Sequence, residues 1–296
     1  MARSIQREVT QRGHDPLVLL VDEPSRRGDV TRSAAAVKAA SDLPSDGFEK
    51  ADLVIVLGGD GSILRMAHRM GYSQRPVIGV NLGTLGFLAH FSPNDVAETL
   101  DAFASGRFRL VDHLMFECEI RRGNQIVVTL LGLNETAILA GPPFSMIEVQ
   151  LLVEGEHATT CRGDGMIVST PVGSTAYSLS AGGPILREDL DVFLFTPLNS
   201  HTLTNRPVVD SAARPYDLIV PRPNHGTTCV VDGRVATILE PGDVVRVRRA
   251  QPRFRLVETE RHGYYRTLRE KLDWGGGLRG LRKERPEREC PSDSPD

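Results

Sequence analysis

The sequence lacks the features that would place the chain in a membrane, on a nucleic acid or outside the cell. No apolar run approaches the roughly 18 residues of a membrane-spanning helix, and the N-terminal residues contain no hydrophobic signal core. The net charge is only −3, which gives no reason to expect general affinity for nucleic acids or membranes. Cysteine is scarce and has no paired spacing of the kind that metal sites use: Cys118, Cys161, Cys229 and Cys290. We therefore predict a reduced, cytoplasmic protein.

The apolar pattern predicts two domains of different fold class. Up to residue 112, short apolar strands alternate with helical segments, which is typical of an α/β domain with a parallel sheet. Residues 113–262 form short alternating segments separated by turn residues, which predicts a β-rich, sandwich-like domain. A helix at 263–276 is expected to pack back on the first domain, and the charged tail at 277–296 is expected to be disordered.

Individual elements follow from the same pattern. Helices are predicted at 5–12, directly after Ser62, at 93–105, at 178–181 and at 264–274. Strands are predicted at 16–21, 53–57, 76–80, 116–120, 126–129, 148–153, 218–220, 228–231 and 244–247.

A glycine-rich turn, Gly58-Gly59-Asp60-Gly61-Ser62, follows the strand at 53–57. Such a turn exposes backbone amides at a helix N-terminus, which predicts a phosphate site. Asp60 would repel a phosphate unless it holds a metal ion or takes a proton during the reaction, and phosphoryl transfer requires both functions. The alternative is a tight turn in which Asp60 only caps the helix.

The dipeptide Asn134-Glu135 follows a strand-like apolar run at 127–133. An adjacent amide and carboxylate can donate to and accept from the two hydroxyl groups of a ribose. A polar turn at a strand end is the alternative, and the dipeptide alone is a weak motif.

The longest polar segment runs from Arg162 to Pro184 and is rich in glycine and hydroxyl side chains. Small residues let the backbone approach a flat or phosphorylated ligand closely, and Tyr177 offers a face for stacking. The composition alone is that of a mobile loop, but the length of the segment and Asp164 near its start favour a ligand-binding loop.

Together, these three segments resemble the motifs of the NAD kinase family, which makes NADP from NAD with ATP or polyphosphate as phosphoryl donor. The resemblance includes the segments that begin at Asn81, Pro197 and Thr267, and it covers roughly residues 50–275. It implies an α/β first domain, a β-rich second domain and a closing C-terminal helix. It also implies NAD and ATP or polyphosphate as partners, and a homodimer or homotetramer.

The resemblance also implies a role for individual residues. Asp60 would be the catalytic carboxylate, which accepts the proton of the adenosine ribose 2′-hydroxyl as that oxygen attacks the terminal phosphoryl group. The phosphates would be bound by Gly58, Gly59, Gly61 and Ser62, and the nicotinamide-side ribose by Asn134 and Glu135. The nicotinamide end would be bound by Asp164, either in this site or in the site of a neighbouring subunit. The adenine would be lined by Thr175, Ala176 and Tyr177, and the remaining candidates for substrate binding are Arg162 and Asn199.

No residue is predicted to ligate a metal ion permanently. Because the side chains near the glycine turn are neutral or acidic in the sequence, a divalent cation, Mg²⁺ in the simplest case, is expected as cofactor. Replacing Asp60 by Asn is expected to abolish turnover and to leave the turn intact, because Asn keeps the size and much of the hydrogen bonding.

The sequence departs from the family pattern at three places. Val172 stands where Thr or Ser is usual, and Asn199 stands where a small or apolar residue is common. The family usually has a strand before its first helix, whereas here the helical pattern begins near Ile5. A missing first strand would leave part of the sheet edge unpaired.

Other protein classes share part of this pattern. Gly-Gly-Asp-Gly also occurs in lipid kinases of the diacylglycerol kinase type and in phosphofructokinases, and a non-catalytic dinucleotide-binding module is a further alternative. The two kinase classes do not explain Asn134-Glu135 or the segment at 174–177, and a module without activity would have no need of Asp60.

Overall fold

The computed structural model describes residues 2–16, 50–83, 86–201, 204–259 and 264–272. Its α-helices are α1 (Ala2–Gln11), α2 (Asp60–Met70), α3 (Val96–Ala104), α4 (Tyr177–Ser180) and α5 (Tyr264–Leu272). Its strands are β1 (Val54–Leu57), β2 (Pro76–Val80), β3 (Arg109–Arg122), β4 (Gln125–Gly132), β5 (Glu135–Leu139), β6 (Ile147–Val153), β7 (Glu156–Gly163), β8 (Gly165–Ser169), β9 (Val192–Leu198), β10 (Val208–Ser211), β11 (Tyr216–Ile219), β12 (Thr228–Val231), β13 (Arg234–Ile238) and β14 (Asp243–Glu258). Single 3₁₀ turns at Pro93–Asp95 and Gly173–Thr175 precede α3 and α4.

Within the described ranges, the first sheet contains eight strands and extends through both predicted domains. β1 and β2 are parallel, and the C-terminal end of β14 pairs parallel with β2, as expected for an α/β unit. The N-terminal half of β14 pairs antiparallel with β11, and β3 pairs with both halves of β14. β3 therefore crosses the boundary that the sequence places after residue 112, and that boundary stays a prediction.

The second sheet is antiparallel, with the strand order β10-β9-β8-β5-β12-β13. It faces the first sheet across a core that contains the fully buried side chains of Phe116, Phe193 and Tyr216. Apolar faces of two sheets that close on one another form a sandwich. The predicted combination of an α/β unit with a β-sandwich is confirmed.

Helix α2 lies on the parallel part of the first sheet and positions the glycine turn. Its buried side chains recur at helical spacing: Ile63, Met66, Ala67 and Met70. They pack against a cluster that contains Phe254 and Leu256 of β14. The helix axis is thereby fixed against both β1 and β14, and the turn at its start is fixed with it.

The sequence prediction missed the centre of the second sheet. All five residues of β8 are buried, so this strand has no alternation of apolar and polar residues. β14 is also much longer than the predicted strand at 244–247. Residues 17–21 of the strand predicted at 16–21, and the tail at 277–296, lie outside the described residues. No helix within the described part of the chain is long and apolar enough to cross a membrane.

Candidate active site

The glycine turn connects β1 directly to α2, and the helix begins at Asp60 with Gly59 as its N-cap. Gly58 has a φ of +147°, and a Cβ at this position would lie 2.4 Å from Oγ of Ser62. Glycine is therefore required at residue 58. Gly61 is exposed, so the N-terminal amides of α2 lie at the surface, where they attract an anion.

The Asp60 carboxylate is held by the backbone segment that follows β2. Its Oδ2 accepts a hydrogen bond from the amide of Phe87 at 2.8 Å, and its Oδ1 accepts from the amides of Leu88 at 3.0 Å and Ala89 at 3.1 Å. A carboxylate offers about four lone-pair sites. Among the described residues, one site on Oδ2 therefore stays open for a proton.

These bonds weigh against the prediction that Asn at position 60 preserves the turn. An Asn side chain has one acceptor oxygen and one NH₂ donor. At least one of the amides of residues 87–89 would then face a donor, which costs stability. Replacing Asp60 removes bonds of the turn together with the carboxylate.

Gly86 is a site residue that the sequence analysis did not single out. A Cβ on Gly86 would lie 1.8 Å from Oδ1 of Asp60. Only glycine lets the chain pass this close to the carboxylate. The glycine-rich segment after β2 was visible in the sequence, but a single sequence does not show what a glycine approaches.

Two arginines lie close to the glycine turn and were also missed. Arg65 donates from Nη2 to Oγ of Ser62 at 2.9 Å, so a cation stands beside a turn that was expected to have only neutral and acidic neighbours. Arg234 on β13 is exposed, but neighbouring protein atoms displace part of its hydration and so lower its pKa. The Asp232 carboxylate raises this pKa, and repulsion from the Arg65 guanidinium lowers it. Within the described residues neither arginine has a carboxylate salt-bridge partner, so both can bind an anion. The i, i+3 spacing of Ser62 and Arg65 was the available signal.

Asn134 and Glu135 lie where β4 turns into β5, and both carry unused acceptors. Asn134 Oδ1 and Glu135 Oε2 are buried and accept no hydrogen bond within the described residues. Burial, and after it the nearby Asp232 carboxylate, raises the pKa of Glu135 to about 8, while the amide of Tyr177 acts in the opposite direction. Buried acceptors without partners are costly, so this pair is suited to a ligand with hydroxyl groups.

Asp232 holds the backbone that carries this pair, although it is not among the residues that the sequence singled out. Its Oδ1 accepts from the amides of Asn134 at 2.8 Å and Glu135 at 3.0 Å. Its Oδ2 accepts from the amide of Leu133 at 2.7 Å and contacts Nε2 of His68 on α2 at 2.6 Å. The Asp232 side chain is fully buried. All four of its lone-pair sites are occupied.

The segment at 162–184 is not the loop that its composition suggests. β8 occupies residues 165–169, and hydroxyl groups beyond it donate to backbone carbonyl oxygens. Thr170 Oγ1 donates to the carbonyl oxygen of Leu133 at 2.6 Å, and Ser174 Oγ donates to that of Pro171 at 2.6 Å. Val172 is buried in the core beside Leu133, which accounts for an apolar residue at a position where the family has a hydroxyl.

The end of this segment lies beside Asn134-Glu135. The amide of Thr170 donates to the carbonyl oxygen of Asn134 at 2.9 Å. Thr175 and Ala176 are half-buried, and Tyr177 is exposed, so its ring is available for stacking. The structure thus brings these three predicted residues to the same end of β5 as Glu135.

Asp164 and Asn199 lie at the other end of β5. The amide of Ala140, directly after β5, donates to the carbonyl oxygen of Asp164, whereas Glu135 begins the strand. Strand geometry separates the two ends by about 15 Å. Asp164 Oδ2 accepts from Nδ2 of Asn199 at 2.7 Å, and Arg162 is paired with Glu148. Asn199 has a φ of +44°, which Asn tolerates better than most residues.

The described residues contain no group of three or more metal-ligating side chains. Two clefts, of about 390 and 480 Å³, are lined by other residues, among them Arg109 and Glu188 in one and Glu117 and Arg248 in the other. Within the described residues, the glycine turn and the start of β5 are connected through His68 and Asp232, whereas Asp164 and Asn199 lie at the other end of β5.

The chain matches two family domains over most of its length. The ATP-NAD kinase N-terminal domain matches residues 24–108, and the ATP-NAD kinase C-terminal domain matches residues 133–259. The chain is 44% identical to the NAD kinase of Rhodopirellula baltica over 277 residues, which cover 90% of this chain and 89% of that protein. It is 40% identical to the NAD kinase of Geobacter metallireducens over 225 residues, covering 76% and 80%.

Two solved structures have a similar fold. Yeast NADH kinase complexed with NADH superposes with a TM-score of 0.72 and 26% identity, covering 77% of this chain and 67% of that chain. An NAD kinase from Archaeoglobus fulgidus in complex with ATP superposes with a TM-score of 0.65 and 28% identity, covering 84% and 96%.

Proposed function

The chain belongs to the NAD kinase family of phosphotransferases, and we propose how its residues transfer the terminal phosphoryl group of ATP to the 2′-hydroxyl of the adenosine ribose of NAD. The alternatives of a lipid kinase and a non-catalytic module are not supported, since the matched domains and relatives are NAD kinases. The observation that carries the proposal is the open lone-pair site on the Asp60 carboxylate at the N-terminus of α2.

Asp60 acts as the general base in this proposal. The 2′-hydroxyl donates its proton to Oδ2 of Asp60 as the oxygen attacks the terminal phosphorus, and the bond from that phosphorus to the bridging oxygen of ADP breaks. The amides of Phe87, Leu88 and Ala89 hold the carboxylate in one orientation, so that little reorganisation is needed in the transition state.

The phosphates of the donor lie at the turn formed by Gly58, Gly59, Gly61 and Ser62. The N-terminal amides of α2 and the Arg65 guanidinium supply positive charge there. Mg²⁺ is the cation we propose, carried by the phosphates and supplying charge neutralisation when it is bound. Arg234 extends the same positive surface from β13.

NAD occupies the surface between the turn and β5. The unused acceptors of Asn134 and Glu135 take the hydroxyl groups of the nicotinamide-side ribose. Thr175, Ala176 and Tyr177 line the adenine, with the exposed Tyr177 ring as a stacking face.

Asp164, Asn199 and Arg162 serve the nicotinamide end in the site of a neighbouring subunit. Their separation from Glu135 along β5 supports this assignment, because one chain does not bring the two groups together. It requires a homodimer or homotetramer. We place the protein in the cytoplasm, in keeping with three buried cysteines, Cys118, Cys161 and Cys229, that are all unoxidised.

An NADP-forming assay on purified protein tests the function. We expect NADP with ATP and Mg²⁺, and no NADP in excess chelator. Full activity in chelator would overturn the metal requirement, and phosphorylation of diacylglycerol without NADP formation would overturn the substrate. Inorganic polyphosphate in place of ATP identifies the donor.

Shared sites can be tested by mixing two variants. Asp60→Asn lacks the base, and Asp164→Ala lacks the contact offered to the neighbouring subunit. When the two proteins are unfolded and refolded together and assayed at NAD concentrations well below KM, mixed oligomers contain sites with both residues intact, so activity should exceed the sum of the separate samples. A strictly additive activity would place Asp164 outside the neighbour's site.

A further inference from the structure

We propose that Asp232 is the positioning residue of the NAD site. Through its contact with His68, it fixes the position of the Asn134-Glu135 pair relative to the helix that begins at Asp60. The proposal rests on the proposed function, since it requires that Asn134 and Glu135 bind the ribose. Asp232 itself contacts no substrate in this account.

Three consecutive amides converge on the Asp232 carboxylate. The amides of Leu133, Asn134 and Glu135 all donate to Asp232, at 2.7 to 3.0 Å. These bonds fix the backbone at the point where the ribose-binding side chains leave it. Charge-assisted hydrogen bonds in a buried site are stronger than neutral ones, and the Asp232 side chain is fully buried.

The fourth partner of Asp232 comes from a different element, helix α2. His68 Nε2 lies 2.6 Å from Oδ2 of Asp232. Because a carboxylate only accepts, this ring nitrogen carries the proton. His68 stands eight residues after Asp60 in the same helix, which is about 12 Å along the axis. A single buried carboxylate therefore connects the residues proposed for NAD to the helix that begins with the proposed base.

A second carboxylate, Asp217, allows an effect on the position of the NAD-binding residues to be distinguished from a general loss of stability. Asp217 of β11 forms a bidentate ion pair with Arg246 of β14, at 2.7 Å for both bonds, and the Asp217 side chain is largely buried. This pair joins neighbouring strands of the first sheet and contacts none of the proposed substrate residues. Asp217→Asn is therefore a matched control for loss of a buried carboxylate.

The test measures KM for NAD, KM for ATP, kcat and Tm for Asp232→Asn and Asp217→Asn. We expect Asp232→Asn to raise KM for NAD about 10- to 100-fold, the range for loss of a hydrogen bond to a charged group. KM for ATP should change less than about threefold, well below that range. Asp217→Asn should lower Tm and leave both KM values near those of the parent. Equal effects of the two variants on KM for NAD would overturn the proposal.

The His68 link has its own pair of variants, which also serve if Asp232→Asn does not fold. His68→Leu removes the donor and should raise KM for NAD about tenfold, whereas His68→Gln keeps an N–H donor and should restore most of the affinity. The same KM for both variants would show that His68 acts only through packing, and the coupling to α2 would be wrong.

Failure of this inference can be told apart from failure of the proposed function. Asn134→Ala and Glu135→Gln change the ribose contacts directly. If these variants leave KM for NAD unchanged, the site assignment itself is wrong. If they raise it while the Asp232 and His68 variants do not, the NAD site stands and only the positioning role falls.

Discussion

Asp60 and Asp232 are two aspartates in similar surroundings with different capacity for chemistry. Each carboxylate accepts hydrogen bonds from the amides of three consecutive residues, 87–89 for Asp60 and 133–135 for Asp232. His68 occupies the remaining site on Asp232, whereas one site on Asp60 stays open among the described residues. The Asp232 side chain is fully buried, while Asp60 is only half-buried, at the N-terminus of α2.

This difference separates a carboxylate that only fixes the backbone from one that can also accept a proton during the reaction. A carboxylate whose lone pairs are all occupied can fix a backbone segment but cannot take a further proton. A carboxylate with one site left can do both. Sequence motifs mark Asp60 but not Asp232, although both organise the same substrate site in this account.

Gly86→Ala should produce the largest effect after removal of Asp60 itself. The new Cβ would lie 1.8 Å from Oδ1 of Asp60, so the carboxylate must move. A displacement of about 1 Å in a catalytic group costs on the order of 100-fold in rate, and we expect kcat to fall by about that factor.

Gly83→Ala is the matched control for Gly86→Ala. A Cβ on Gly83 would meet nothing within 4 Å, so kcat should stay near that of the parent. A Gly86→Ala protein with kcat within about threefold of the control, far from the expected loss, would mean that the orientation of Asp60 does not matter.

Glu135→Gln should weaken NAD binding and, at the same time, stabilise the protein at high pH. Above about pH 8, where Glu135 is ionised, KM for NAD should rise about tenfold through loss of an acceptor, and more than KM for ATP. In the folded protein the pKa of Glu135 is about 8, against an ordinary value of 4.5. The unfolded chain therefore loses this proton first, and the stability cost of Glu135 grows as pH rises from 4.5 to about 8.

Melting curves at pH 5 and pH 8 check the sign of this effect. Gln carries no titratable proton, so the Tm advantage of Glu135→Gln over the parent should be greater at pH 8 than at pH 5. Each kcal/mol corresponds to about 2–4 °C in a protein of this size. Glu156→Gln, an exposed position on β7, is the control. An advantage that is the same at both pH values would contradict the buried, protonated Glu135.

Asp164→Asn should have the smallest effect on KM and Tm, because the Asp164 side chain is exposed and not held in a buried hydrogen-bond network. Asp164 is exposed, and its side chain accepts from Asn199. Exposed polar pairs contribute little stability, so Tm should be nearly unchanged and KM for NAD should rise by only about threefold. A change in KM as large as that of Glu135→Gln would show that the exposed end of β5 is as important as the buried end.

The sequence alone predicted the outlines of the fold because local patterns carry them. β2 and β12 were predicted with their observed bounds, and the alternating strands pointed to the sandwich. The central strand β8 was missed because burial on both faces removes the alternation. The continuity of the first sheet depends on β14 pairing with β2 over a long sequence separation, which no local pattern reveals.

The site was predicted where residues stand in motifs and missed where residues meet through the fold. The glycine turn and Asn134-Glu135 could be found because neighbouring residues act together. Gly86, Arg65 and Asp232 act on residues that are distant in sequence or only one helical turn away, and nothing in their own surroundings distinguishes them from an ordinary turn or helix surface.

In the proposed mechanism Asp60 takes the proton and Asp232 only positions the NAD-binding residues, and one single-turnover experiment tests both roles. Parent, Asp60→Asn and Asp232→Asn are each saturated with NAD and mixed rapidly with ATP and Mg²⁺, and the rate of NADP formation is divided by the folded fraction from a melting curve. The account predicts that Asp60→Asn is slower than the parent by about 10²- to 10⁴-fold, while Asp232→Asn at saturating NAD stays within about tenfold. A folded Asp60→Asn protein that also stays within about tenfold of the parent would contradict the account, because Asp60 would then be a structural residue like Asp232.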